Sequence, residues 1–188
     1  TFYKQFGKEK IVSKKHILFF GSIALYKGIE TLIQAMPSVF EKFPDECLII
    51  AGRCQEGYVL NEDLLKINQN RIMIIKRYIP NEELVTLIQE SKFVVCPYLD
   101  ATQSGVLMTA FALNIPVIAT NVGAFPEYIE QNKNGMLVPV NDPDALAKAI
   151  MSALINNFYK TMGENIKNNS ISNGWANNKS IILKAYLS

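Results

Sequence analysis

The stretch Asp100-Ala101-Thr102-Gln103-Ser104-Gly105-Val106-Leu107-Met108-Thr109-Ala110-Phe111-Ala112-Leu113-Asn114-Ile115-Pro116-Val117-Ile118-Ala119-Thr120 carries the residue types best placed to do chemistry. It follows the apolar run Phe93-Val94-Val95-Cys96, passes through a polar turn, opens an amphipathic helix and leads into a second apolar run. That order is strand, loop, helix, strand. Small residues at Ser104 and Gly105 leave the first-turn backbone N–H groups of the helix uncovered. Uncovered N–H groups at the positive end of a helix form an anion site, and the expected anion is a phosphate. The same two residues would serve equally as an N-cap and tight turn with no ligand.

Other chemistries lack their residues. His16 is the single histidine, the cysteines Cys47, Cys54 and Cys96 have no close spacing, and neither an HExxH nor an EF-hand pattern occurs. No protein-held metal is expected. Three cysteines cannot all pair with one another, and Cys47 and Cys96 lie in apolar runs where cysteine behaves as a small hydrophobe, which reads as a reducing, cytoplasmic setting. A formal net charge of +2, with its basic residues scattered, argues against nucleic acid and leaves room only for a weak preference for a membrane surface. No apolar stretch is long enough to span a bilayer, and Thr1-Phe2-Tyr3-Lys4 does not begin a signal peptide. The chain starts without an initiating Met, so it reads as a piece of something longer.

These residues need a scaffold, and hydropathy supplies one. With 188 residues, 49% of them hydrophobic, the chain can bury one sizeable core. Strands are predicted over His16 to Gly21, Cys47 to Gly52, Arg71 to Lys76, Phe93 to Cys96, Pro116 to Thr120 and Met136 to Val140. Between them, Lys27 to Phe43 places Ile29, Leu32, Ile33, Met36, Val39 and Phe40 on one helical stripe, and Asn81 to Ser91 does the same after Pro80. Strands apolar nearly throughout belong in a parallel sheet covered on both faces, so the fold class is α/β, a doubly wound, Rossmann-like sheet. Ligands in such sheets sit outside the carboxyl ends of the strands, and the loops after Gly21, Gly52, Lys76, Cys96 and Thr120 therefore share one rim. We expect one domain over residues 1–188, with a core of about 14–156 and C-terminal helices over 157–188, with helical runs around Phe158 to Ile166 and Trp175 to Leu187, of which Trp175, Ile181, Ile182 and Tyr186 dock on something.

Four segments, in order, carry a family resemblance: Gly21-Ser22-Ile23-Ala24-Leu25-Tyr26-Lys27-Gly28, the Arg71 to Pro80 strand and turn, the stretch from Asp100, and Val122-Gly123-Ala124-Phe125-Pro126-Glu127 running on to Asn134-Gly135-Met136-Leu137-Val138-Pro139. Over roughly His16 to Leu154 the chain resembles the C-terminal, donor-binding domain of a GT-B glycosyltransferase of family 4, the glycosyl transferases group 1 domain. In that family the first glycine-rich loop carries an Arg and a Lys that reach the donor diphosphate. Lys27 holds the Lys position, as a long-stemmed point charge, and Ser22 stands at the Arg position. The spacing alone reads Lys27 as a solvated first-turn lysine; the resemblance reverses that.

The family also carries a pair of glutamates, one near the sugar and one gripping the ribose hydroxyls. Aligned on Ala110 to Pro116, they fall on Ala101 and Thr109. Both carboxylates are absent, which leaves Thr109 a hydroxyl for ribose and Asp100, Thr102 or Gln103 as polar contacts to the sugar. The resemblance further implies phosphate contacts at Ser104, Gly105 and Val106 and a nucleobase against the turn Arg77-Tyr78-Ile79-Pro80, where Arg77 or Tyr78 could stack; a partly exposed loop aromatic is the plainer reading of Tyr78. Glu127 in a first turn and Asn141 or Asp142 as a cap for the helix from Pro143 read as structural.

The implied activity is retaining, metal-independent transfer from a UDP- or GDP-linked sugar, with no further cofactor, to a glycan or lipid-linked acceptor. An N-terminal acceptor domain would complete the site, so this piece alone is expected to bind nucleotide-sugar weakly and to turn over slowly or not at all. Such enzymes build bacterial capsule, lipopolysaccharide or exopolysaccharide at the cytoplasmic membrane face, and the Lys, Asn and Ile bias fits an AT-rich bacterium. Two alternatives stay open: a non-catalytic nucleotide-binding module or regulatory subunit, favoured by the two lost carboxylates, and a UDP-sugar epimerase-like GT-B protein. A classical NAD enzyme is disfavoured, because the first strand-to-helix turn lacks G-x-G-x-x-G.

Overall fold

The computed structural model describes residues 16–66, 70–101 and 104–172. Six strands form one parallel sheet: β1 (His16–Phe20), β2 (Leu48–Gly52), β3 (Ile72–Lys76), β4 (Ser91–Cys96), β5 (Val117–Thr120) and β6 (Gly135–Val138). Their order is β3-β2-β1-β4-β5-β6, the doubly wound arrangement in which the chain reverses direction of travel between β1 and β4. The six predicted strands are all present. β4 starts earlier than its apolar run, because Ser91 pairs with His16 and its hydroxyl donates to the Ile88 carbonyl at 2.7 Å.

Between the strands lie α1 (Ile29–Lys42), α2 (Glu62–Lys66), α3 (Asn81–Gln89), α4 (Gly105–Ala112) and α5 (Phe125–Tyr128), and after β6 come α6 (Pro143–Leu154) and α7 (Phe158–Ser172). The predicted apolar stripe of α1 is its buried face, packed against α6 in the core it shares with the sheet. Pro37 sits inside α1 on its exposed side, where the helix continues past it. Asp142 caps α6, accepting the Ala145 N–H at 2.8 Å. Strands β1 and β2 are buried at every position, as expected of strands covered on both faces. The Trp175 to Leu187 run lies outside the described residues.

The amino ends of the strands are where His16 lies, fully buried and remote from the carboxyl-end rim. Burial pushes its pKa down to about 4, against a smaller opposing effect of a backbone hydrogen bond with Leu87. The folded protein therefore keeps a neutral imidazole at pH values where the unfolded chain, titrating near 6.5, takes up a proton. Stability should be complete above about pH 6.5 and fall as the pH drops toward 4, by roughly 3 kcal/mol in total from this group. Urea unfolding of the wild type and a His16→Gln variant at several pH values across that window checks this: the gap between the two stability curves should narrow or invert as the pH falls, and parallel curves would refute it.

Candidate functional site

The rim is assembled by loops that touch backbone to backbone. After β1 the chain makes a 3-10 turn, Leu25–Lys27, closed by Gly28 in the left-handed conformation at φ 62°. A side chain there would put its Cβ 1.9 Å from the Pro97 carbonyl oxygen, so the β4 loop can lie against this turn only because residue 28 is glycine. The Leu99 N–H donates to the Tyr26 carbonyl at 2.8 Å across the same seam. From the other side, the Thr120 hydroxyl at the end of β5 donates to the Tyr98 carbonyl at 2.6 Å. The β4 loop is thus tied to β1 and β5 at the point where the chain reverses.

Lys27 sits in this seam rather than in the first turn of α1. Its ammonium lies 3.6 Å from the centroid of the Tyr98 ring and 5.0 Å from that of Tyr26. Tyr98 itself is 1% exposed. Desolvation lowers the Lys27 pKa below the usual lysine value, with the Cys96 thiol as an opposing influence. Burial pushes that thiol up to about 12, so near neutral pH it is uncharged and gives Lys27 no counter-ion. Among the described residues no carboxylate pairs with Lys27; aromatic faces are its partners.

A cleft of about 500 Å³ opens at the rim, and its walls include Ser22, Arg53, Tyr78, Ile79, Gly105 and Val106. It spans the ends of β3, β2 and β1 and the start of α4. Ser104 caps α4, its hydroxyl oxygen accepting the Leu107 N–H at 3.4 Å. Among the described residues no hydrogen bond takes up the N–H of Gly105 or Val106, and a Cβ added at Gly105 would meet nothing within 4 Å. The helix end is therefore both capped and open, so the cap and the anion site expected from Ser104 and Gly105 are compatible.

Other candidates fall elsewhere. Thr109 is 3% exposed and its hydroxyl donates to the Gly105 carbonyl at 2.7 Å, inside α4. Arg77 is forked onto Glu83, at 2.9 and 2.5 Å, and also donates to the Tyr78 carbonyl, while Tyr78 stands 61% exposed on the cleft wall. Asp100 is exposed. Ala101 lines a second hollow of about 190 Å³ with Ser104, Met108, Phe125 and Tyr128, so α4's first turn separates two cavities. Thr102 and Gln103 lie outside the described residues. Arg53 is the wall residue that the sequence reading missed; the signal was its position directly after β2, on a loop already assigned to the rim.

The profile of the family described as glycosyl transferases group 1 matches residues 2–170. The chain belongs to that family. It is 28% identical over 185 residues to the D-inositol 3-phosphate glycosyltransferase of Corynebacterium urealyticum, a match that covers 94% of this chain and 44% of the relative. The chain thus spans less than half the length of the named relatives it matches. A C-terminal domain of a glycosyl transferase group 1 family protein from Francisella tularensis has the same fold, with a TM-score of 0.77 at 23% identity and 90% of each chain covered. The Anabaena protein HepE, solved with UDP, superposes with a TM-score of 0.71 at 19% identity, covering 88% of this chain and 45% of that one. The partial coverage fits a C-terminal domain of a GT-B protein. Among the described residues no group of three His, Cys, Asp or Glu is placed to hold a metal ion, and no helix is long and apolar enough to cross a membrane.

The seam at Gly28 should be the most substitution-sensitive point of the rim. Gly28→Ala combines a left-handed backbone with a clash against the Pro97 carbonyl, on a loop tied down at Leu99 and Tyr98, and the backbone conformation alone costs about 1–3 kcal/mol. Chemical denaturation should show at least that loss, and an unchanged midpoint would contradict the close approach described here.

Proposed function

We propose that this chain is the donor-binding half of a glycosyltransferase and that the cleft at the ends of β1, β2 and β3 holds a nucleoside diphosphate sugar, UDP- or GDP-linked. The observation that carries the reading is the cleft itself, which joins Tyr78 and Ile79 after β3 to the open N-terminus of α4 across the ends of β2 and β1; Lys27, on the loop that leaves β1, has no acidic partner among the described residues. The base lies against Tyr78 and the 8% exposed Ile79, where stacking needs a face and no particular charge. The diphosphate lies toward Ser22 and the N–H groups of Gly105 and Val106. Lys27, half-buried on the loop that leaves β1, is the charge that an incoming anion would draw off the Tyr98 ring. Asp100, Thr102 and Gln103 supply the polar contacts to the sugar, and the ribose hydroxyls pass over the start of α4.

In transfer from such a donor, positive charge grows on the sugar and negative charge on the departing diphosphate. Fixed donors aimed at that diphosphate stabilise the transition state without reorganising. Lys27 and the α4 N-terminus perform this role without a metal, in a retaining transfer. The acceptor, a glycan or lipid-linked sugar at the inner face of a membrane, is held by an N-terminal domain of the same protein, and closure of the two domains completes the site. This chain alone is the core of residues about 14–156 with its C-terminal helices, and it binds donor weakly with little turnover.

A second reading, a nucleotide-binding module without catalysis, is favoured by one observation: Ala101 and Thr109 bring no acid to the site. Calorimetric titration of UDP, GDP, ADP and their sugars tests the first reading. At least one diphosphate should bind, and Lys27→Ala should weaken it about tenfold or more, the value of a charge-assisted hydrogen bond. No binding of any nucleotide would end the donor-domain reading. If nucleotide binds but the full-length protein, folded, neither transfers nor hydrolyses any donor, the binding-module reading replaces it.

A further inference from the structure

The chain has three arginines, and two of them are occupied by the protein. Arg71 donates to the Phe40 carbonyl at 3.0 Å and lies 5.2 Å from the Phe40 ring, closing the end of α1 against the sheet. Arg77 is forked onto Glu83. Arg53 is exposed, lines the large cleft, and its guanidinium has no ion pair or hydrogen bond among the described residues.

Its position is set by backbone register. Phe20 pairs with Ala51, and beyond the strands Ile23 forms a parallel bridge with Cys54, so Ser22 and Arg53 are direct neighbours on adjacent chains. Three backbone hydrogen bonds fix that alignment: Gly21 N–H to the Ala51 carbonyl at 3.0 Å, Ile23 N–H to the Arg53 carbonyl at 2.9 Å, and Gln55 N–H to the Ile23 carbonyl at 2.8 Å. The two chains approach so closely that a Cβ at Gly52 would stand 1.7 Å from the Gly21 carbonyl oxygen. Arg53 is thereby held on the wall beside Ser22, with the base wall at Tyr78 on its other side.

We propose that Arg53 supplies, from the neighbouring strand, the guanidinium for the donor diphosphate that the β1 loop lacks at Ser22. The proposal rests on the donor-domain reading above and names the residue that grips the anion within it. Arg53 stands on the β2 side of the diphosphate and the N-terminus of α4 on the β4 side, so the anion is held between a planar fork and a row of N–H groups. A guanidinium can take two phosphate oxygens at once, which the Ser22 hydroxyl cannot. An exposed arginine is ordinarily solvated; what sets Arg53 apart is its place on the cleft wall with no acid among the described residues to hold it.

The test compares UDP, with GDP in parallel, and the matching nucleoside, by calorimetry for the diphosphates and NMR titration for the nucleosides. Arg53→Ala should weaken the diphosphate about tenfold to a hundredfold and leave the nucleoside unchanged. Arg53→Lys should fall between, as a point charge replaces a fork, and Ser22→Arg added to Arg53→Ala should restore much of the affinity. A thermal midpoint within a few degrees of wild type confirms an intact fold, as expected for an exposed side chain. Equal losses for nucleoside and diphosphate would move Arg53 to the base or ribose and overturn the proposal, and so would no loss, which would leave it a solvated arginine. Absence of nucleotide binding in the wild type is a different failure, that of the donor-domain reading, and the proposal falls with it.

Discussion

The rim of this domain depends on one close approach: the turn after β1 and the loop after β4 lie in van der Waals contact across the point where the chain reverses, with Gly28 against the Pro97 carbonyl. In a doubly wound sheet the connections from the two central strands leave in opposite directions and a crevice opens between them. Here the floor of that crevice is closed by backbone contact and by the Tyr26–Leu99 hydrogen bond. The closure puts the Tyr98 ring under Lys27 and fixes where α4 begins. Without it the lysine on one loop would be unrelated to the ring and the helix end on the other.

The same packing explains the electrostatic character of the site. Lys27 loses part of its hydration and gains aromatic faces instead of a carboxylate. Aromatic quadrupoles stabilise a cation without neutralising it, so the charge stays available to a ligand. Thr120 and Ser104, which hold the β4 loop and start α4, do so through neutral hydroxyl bonds. The β4 loop and the start of α4 are therefore held by neutral contacts that leave the Lys27 charge unneutralised.

How far the sequence could be read follows from which contacts are local. Apolar runs located all six strands, and the i, i+3, i+4 stripe located α1, because periodicity reflects burial on a face. Lys27 was expected at the start of α1, but Gly28 ends a separate turn first, since a left-handed residue interrupts the helix. The capping role of Ser104 was legible from its type. The engagement of Arg77 by Glu83, one turn into α3, and the stacking of Lys27 on Tyr98 were not, because both depend on how separate segments come together. The rim position of Arg53 could be read from its place after β2, but not its neighbour: only parallel register sets it beside Ser22.

The two positions where relatives of this kind would carry carboxylates bear on the same balance. An acid near the N-terminus of a helix interacts favourably with the uncovered N–H groups and competes there with an anionic ligand. At Ala101 and Thr109 that competition is absent: Ala101 offers a methyl group, and the Thr109 hydroxyl turns back onto the Gly105 carbonyl. The helix end therefore keeps its full attraction for an anion, while, on the proposed function, the sugar and ribose hydroxyls of a donor would lose their strongest acceptors. A site altered in this way shifts recognition from the sugar hydroxyls toward the diphosphate, and its discrimination among sugars would have to come from the loop before Ser104 or from whatever surface faces the cleft from outside this chain.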